Sequence, residues 1–320
     1  VHLQKKARVQ EQPQTVIFAN FYGISSYQNN DIFVQRYKKI ITFRHLFTNV
    51  KQMINFPTAK INIGLNVVSK RADGFHNLES VFYPVPLCDA LEIVPIDAQS
   101  HLRIYPENLA LGEVEKNLVW RAYRLLANDY VLPNIAITLL KCIPAGAGLG
   151  GGSSDAVFML KLLNEYANLQ LSNEKMMYYA LQLGSDCPFF LDNTPKKVRG
   201  RGEELSDFSL NLKGYILVLV CLPIHVSTAE AFQGIVPQIP SENLFENVQK
   251  PIETWKNKIF NDFEKTVFLQ HPILAEIKEK LYQKGALYAS MSGTGSSIYG
   301  IFEQEPDVKI AGAFVFSCKL

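Results

Sequence analysis

The stretch Pro144-Ala145-Gly146-Ala147-Gly148-Leu149-Gly150-Gly151-Gly152-Ser153-Ser154-Asp155 places five glycines in seven positions, followed by two hydroxyls and a carboxylate. Glycine is costly to order and adds nothing to a core, so this density implies that the backbone itself approaches a ligand. Beyond it, Ala156, Met159, Leu160, Leu163 and Ala167 recur at helical spacing. Ser153 or Ser154 is expected to cap that helix, with Asp155 in the first turn where negative charge suits the dipole. Converging N–H groups of a glycine loop and a helix start make an anion site, and phosphate is the ligand expected. No lysine follows before Lys161, so a Gly-Lys-Ser/Thr loop is excluded. Gly146, Gly148 and Gly151 fit G-x-G-x-x-G, a weak match in so glycine-rich a run. The acidic residue that a dinucleotide site needs is missing, because Glu165 falls inside the predicted helix. A protein-kinase glycine loop joins two strands, whereas this one opens a helix. A Gly/Ser linker is opposed by the amphipathic helix that follows at once.

Other residues with chemistry to offer lie on either side. Lys60-Ile61-Asn62-Ile63-Gly64-Leu65-Asn66-Val67 alternates as a half-buried strand, with Lys60, Asn62 and Asn66 on its polar face. That face is either solvated or lines a polar cleft; two asparagines are poor strand formers and favour the cleft. A turn at 71–74 is followed by Phe75-His76, a pair suited to packing or to stacking on a base. Ser185-Asp186-Cys187-Pro188 is expected to leave a helix with Cys187 extended before the proline and Asp186 at the corner. That carboxylate either satisfies local N–H groups or stands at a cleft mouth. A second Gly/Ser loop spans Ala289-Ser290-Met291-Ser292-Gly293-Thr294-Gly295-Ser296-Ser297, ahead of an apolar strand at 298–302. Two such loops in separate lobes suit a substrate held between them.

The elements that must position these groups are legible in outline. Strands are expected at 60–67, at 78–95 with breaks at Pro84 and Pro86, at 134–142 and at 215–222. Helices are expected at 117–126, after the glycine loop, at 173–183 with Gly184 as C-cap, and over most of 258–284; 240–251 reads as loop. The 320 residues suit two lobes, and 48% apolar content supplies a sizeable core. Five scattered cysteines form no C-x-x-C pair and suit a reducing compartment, and six histidines show no metal spacing. The longest apolar run, 215–224, is about half a bilayer-spanning length, so no membrane span is expected.

Net charge is +2, unevenly shared. Residues 1–52 carry eight Lys/Arg against two acids; the remainder is mildly acidic, with no basic stripe for nucleic acid. The 1–52 segment lacks sustained periodicity and begins on valine. It is expected to be a dispensable extension, either upstream of a true start at Met53 or an organelle transit peptide.

Taken together, Pro144 to Ser154, Lys60-Ile61-Asn62-Ile63-Gly64-Leu65, residues 71–79 and Gly184-Ser185-Asp186-Cys187-Pro188-Phe189 resemble the GHMP kinases. These are the small-molecule kinases named after the galactokinase, homoserine, mevalonate and phosphomevalonate enzymes. The likeness covers 53–320. Within the family it is greatest to the branch that phosphorylates a cytidine-diphosphate substrate in non-mevalonate isoprenoid synthesis. The resemblance implies a two-lobed α+β and α/β fold with the active site in the inter-lobe cleft. Its N-terminal lobe, 53–205, would carry the ATP loop, and 206–320 would form the C-terminal lobe. It implies Lys60 and Asp186 as the catalytic pair. Pro144 to Ser154 would hold the phosphates of ATP, with Mg²⁺ bound by ligands this sequence does not reveal, and Asn117, Leu118 and Lys141 would lie near the adenine. Phe75, His76 and Phe232 would recognise the cytosine, with Asn62, Gly293, Thr294 and Gly295 also at the substrate. The family usually has tyrosine where Phe75 stands. A cytoplasmic small-molecule enzyme, without nucleic-acid or membrane partners, is the corresponding expectation.

Overall fold

The computed structural model describes residues 52–105 and 113–320. The expected extension, apart from Gln52, lies outside the described residues. Three four-stranded sheets organise them. The first runs β1 (Met53–Asn55), β4 (Ala90–Pro95), β6 (Ile135–Leu140), β5 (His101–Tyr105), antiparallel except for the β5–β6 pair. The second is wholly antiparallel: β2 (Thr58–Lys70), β3 (His76–Cys88), β7 (Lys196–Arg199), β8 (Glu204–Asp207). The third, also antiparallel, contains β10 (Tyr288–Met291), β11 (Ile298–Phe302), β9 (Ile216–Cys221) and β12 (Phe314–Lys319).

Helices α1 (Leu118–Asp129), α2 (Gly151–Tyr166), α3 (Asn173–Leu183) and the short α4 (Phe189–Asp192) share one apolar core with the first sheet. Ile135, Ile137 and Leu139 of β6 alternate into it, opposite Val157 and Leu160 of α2. Phe82 and Val198 enter the same core from the second sheet. The other face of that sheet, through Ile61, Ile63 and Val81, packs on Leu217, Leu219 and Tyr299 of the third. The third sheet is covered in turn by α5 (Thr228–Phe232), α7 (Glu264–Gln270) and α8 (Pro272–Gln283), while α6 (Leu244–Val248) packs near β2.

Several expectations are corrected. Strand β2 is buried on both faces, because sheet packing covers one side and the cleft the other; the alternation alone could not distinguish a wet face from a sequestered one. A bulge at Gly64, whose φ is +66°, moves Leu65 and Val67 into a different cluster from Ile61 and Ile63. Pro84 and Pro86 do not break β3. They lie past Phe82, the last residue paired with β7, where one side of the strand needs no N–H donor. Neither serine caps α2: Gly150 does, in the left-handed region, so Ser153 and Ser154 fall inside the first turn and Asp155 one turn deeper. Residues 185–188 form a turn, with Cys187 N–H bonded to Gly184 O, instead of leaving extended. Helix α6 interrupts the expected 240–251 loop, nucleated by Asn243 capping the amides of Phe245 and Glu246. The helical reading of 258–284 holds only from Glu264, because Leu65 N–H and C=O both bond to residues 260–262, drawing that segment against β2. No described helix is long and apolar enough to cross a membrane.

Candidate active site

A cleft of about 510 Å³ opens where β2, β3, the glycine stretch and the third sheet's loops meet. Of the residues singled out from sequence, Lys60, Asn62, Phe75, His76, Gly148, Gly150, Asp186, Phe232, Gly293 and Thr294 line it. Lys60 is delivered by β2, whose backbone is tied to the glycine loop by Lys60 N–H bonding to Leu149 O at 2.9 Å. Its ammonium is buried, donates to Asn62 Oδ1 at 2.6 Å, lies 3.5 Å from Asp186 Oδ2 and sits over the Phe82 ring at 4.4 Å. Burial pulls the Lys60 pKa below the ordinary lysine value, and the Asp186 charge offsets only part of that. Asn62 is itself held: its Nδ2 donates to Ser80 Oγ at 2.9 Å, and Ser80 donates to Gly64 O at 2.6 Å. The polar face of β2 is therefore a wired support for one ammonium. Asp186, one-third exposed, reaches the same point from the turn after α3.

Glycine is required where these groups crowd. A Cβ on Gly150, whose φ is +69°, would meet Phe190 at 2.9 Å and the Lys60 side chain at 3.1 Å. On Gly148 it would fall 2.0 Å from Ser292 O, so here the two glycine loops touch. Ser292 Oγ donates to Gly148 O at 2.9 Å and Ser297 N–H to Ala147 O at 3.2 Å. Asn261, which nothing local in the sequence marks, donates to both Met291 O and Gly293 O at 2.8 Å and shapes the second loop. No side chain caps α2, leaving its first amides for an anion.

Phe75 and His76 enter after a turn in which Asp73 accepts from Phe75 N–H at 3.1 Å. Phe75 is half exposed, with the Arg201 guanidinium 4.8 Å from its ring centroid. His76 instead stacks on Phe232 at 4.7 Å and 20°, and Phe232 sits edge-on to Phe263 at 4.7 Å. One side of Phe232 is occupied by His76, and Phe75 is the aromatic most open to the cleft. Burial and the Lys70 charge lower the His76 pKa, favouring neutral imidazole.

Sequence reasoning missed Arg201, Gly202, Ser185 and Thr228, all of which line the cleft. Arg201 stands in the sequence close to the boundary between the two expected lobes, with no motif around it. It arrives because Leu78 N–H bonds to Gly200 O at 2.7 Å, fastening that turn to β3. Other assigned residues do not line the cleft. Asn117 accepts from Val119 N–H at 2.9 Å and caps α1; Leu118 approaches within 3.7 Å of a Cβ built on Gly152. Ala145 and Gly146 are exposed, Ala147, Leu149 and Ser154 buried, and Gly295 packs on Met291. Lys141 is buried between Asp89 and Asp155. Among the described residues no three His, Cys, Asp or Glu side chains gather as a metal site, and none of the five cysteines forms a disulfide.

The model of the GHMP kinases N terminal domain matches residues 117–193, and that of the GHMP kinases C terminal domain matches 242–318. The 4-diphosphocytidyl-2-C-methyl-D-erythritol kinase of Bacteroides fragilis is 52% identical over 273 residues, 84% of this chain and 100% of that protein. A crystal structure of a 4-(cytidine 5'-diphospho)-2C-methyl-D-erythritol kinase aligns with a TM-score of 0.66 at 30% identity, covering 78% of this chain and 90% of that one. The mevalonate kinase of Methanococcus jannaschii shares the fold alone, with a TM-score of 0.59 at 13% identity over 85% of this chain and 99% of its own. Sequence, architecture and cleft agree: the chain belongs to the GHMP kinases, ATP-dependent small-molecule kinases, in the group of the 4-diphosphocytidyl-2-C-methyl-D-erythritol kinases.

Proposed function

We propose that this chain transfers the γ-phosphoryl group of ATP to the 2-hydroxyl of 4-diphosphocytidyl-2-C-methyl-D-erythritol, a step of non-mevalonate isoprenoid synthesis. The observation that carries the reading is the meeting of Lys60 and Asp186 in one cleft with Gly148 and Gly150 of the phosphate loop and with Phe75, His76 and Arg201. Asp186 accepts the proton of the 2-hydroxyl as that oxygen forms its bond to the γ-phosphorus. The bond from phosphorus to the bridging oxygen breaks, and ADP leaves with the electron pair. Lys60 hydrogen-bonds the hydroxyl and pairs with the Asp186 carboxylate, and Asn62 aims the ammonium. The uncapped start of α2 holds phosphate oxygens through backbone N–H groups, with Ser153 and Ser154 in the same turn. Asn117 and Leu118 lie toward the adenine.

At the far end Phe75 offers its ring to cytosine, His76 contributes a ring nitrogen, and Arg201 supplies positive charge for the substrate diphosphate. Asp186 is the cleft-lining carboxylate available to a divalent ion. So sparse a donor set suits Mg²⁺ held mostly by phosphate oxygens and water, where it would neutralise charge on the transferring group. Purified protein given ATP and Mg²⁺ should form ADP when this cytidine substrate is added. Equal or faster turnover of homoserine or mevalonate would overturn the assignment.

A further inference from the structure

A second lysine–aspartate cluster lies outside the cleft, and its parts come from both ends of the phosphate loop. Lys141 follows β6 immediately before that loop; Asp155 lies in the second turn of α2, immediately after it; Asp89 joins β3 to β4. All three side chains are at least nine-tenths buried. The Lys141 ammonium bonds to Asp89 Oδ2 and, at 2.7 Å, to Asp155 Oδ2. Asp89 Oδ1 accepts from the amides of Cys142, at 2.5 Å, and Ile143, at 2.8 Å, the last two residues before Pro144. A Cβ on Gly151 would lie 3.3 Å from the Lys141 ammonium and 2.9 Å from Ile143. The loop from 144 to 150 is therefore bolted at its entry and its exit to one buried point.

The charges do not balance if both carboxylates are ionised: two anions face one cation. Asp155 Oδ1 also has no hydrogen-bond partner, while Asp89 shares the Lys141 ammonium with the same carboxyl group. A carboxylic acid at 155 resolves both problems, because it removes one charge and turns that oxygen into a donor toward Asp89. An extra buried anion beneath a site for the phosphates of ATP would oppose the ligand. We propose that Asp89, Lys141 and Asp155 act as one neutral unit, with a proton on Asp155, that clamps both ends of the phosphate loop and thereby sets its grip on ATP. This rests on the kinase reading above and makes the three positioning residues. Burial drives the Asp155 pKa up, Lys141 opposes that and Asp89 adds to it, in the direction the geometry requires. The nearby Cys142 thiol is pushed up to about 12, chiefly by burial, and contributes no charge, while Cys88 lies beside it.

The amide of Asp155→Asn reproduces a protonated carboxyl: its oxygen accepts from Lys141 and its N–H donates to Asp89. Calorimetric titration of Mg²⁺ and ATP, without acceptor substrate, should therefore give Asp155→Asn an affinity within about threefold of the parent. Asp89→Asn removes the anion and sets an NH2 donor against either the ammonium or the two loop amides, and should weaken ATP at least about tenfold, as the loss of one partner from a buried charged set implies. KM for the cytidine substrate should move little in either variant. Infrared spectra of the parent should show a protonated carboxyl stretch that Asp155→Asn removes; this needs no other variant to fold. Equal loss of ATP affinity in both variants, or no such band, would show Asp155 ionised. Unchanged ATP affinity in Asp89→Asn beside a lower Tm would reduce the cluster to fold support. A parent that binds no ATP would sink the kinase reading itself.

Discussion

Lys60 and Lys141 each bury an ammonium against aspartate, and they are built for opposite purposes. Lys60 has one carboxylate, Asp186, at 3.5 Å and partly exposed, and burial drives its pKa down. Lys141 is pulled down by burial as well, but Asp155 and Asp89 outweigh it and the net shift is upward. The loose pair leaves hydrogen-bonding capacity for a third group, which in our reading is the substrate hydroxyl. The tight cluster binds one ammonium to two carboxylates and holds backbone. Loose pairing around a buried lysine here marks chemistry, and tight double pairing marks support.

The sharpest test of that contrast is stability. Lys141→Met strands Asp89 and Asp155 in the interior and should cost about 3–5 kcal/mol or prevent folding. Lys60→Met leaves a part-exposed carboxylate and the Asn62 amide oxygen without their donor but removes a buried charge, and should change stability by no more than about 2 kcal/mol while abolishing turnover. Paired melting curves decide this, and comparable losses would erase the distinction. Next in size, Asp186→Asn should lower kcat by about 10²-fold or more with ATP affinity kept, the scale expected for a positioned base. Near-normal kcat would remove Asp186 from that role.

The same contrast recurs among the aromatics. Phe75 is half exposed with the Arg201 guanidinium against its ring, whereas His76 is already stacked on Phe232. Phe75→Ala should raise KM for the cytidine substrate by an amount equivalent to about 1–3 kcal/mol, by analogy with base stacking. Phe75→Tyr should be mild, and His76→Ala should raise KM with kcat nearly intact. Similar KM values for Phe75→Ala and the parent would take Phe75 out of the site.

The smallest effect is in pH dependence. Because folding lowers the Lys60 pKa, the unfolded chain binds that proton more tightly, and the residue's share of stability rises with pH between the folded value and about 10.4. Lys141 has the opposite sign: its contribution is complete below the ordinary lysine value and is lost as pH rises through its higher folded one. Stability measured against alkaline pH should therefore respond in opposite directions to Lys60→Met and Lys141→Met. Parallel curves would show that the two ammonium groups titrate alike.

What the chain determines locally is considerable. The glycine run, the helix after it, the turn before Phe75, the α3 cap at Gly184 and the alternation through Lys60 all rest on spacing over a few residues. Such spacing reports φ and ψ, periodicity and caps directly. It cannot report which polar face is covered, because that depends on packing partners far along the chain. The alternation in β2 therefore left solvent and cleft both open for its polar face, and packing buries it. Asp89 carried no signal at all: it acts on amides 53 and 54 residues away and joins Asp155 only through Lys141. Arg201 reaches the cleft because its turn is hydrogen-bonded to β3, and Asn261 reaches the second glycine loop because its segment is drawn against β2. The residue types that do chemistry are written in the sequence; whether an aspartate stays free to accept a proton or is spent holding a loop is decided by long-range burial and charge pairing, which only the tertiary structure sets.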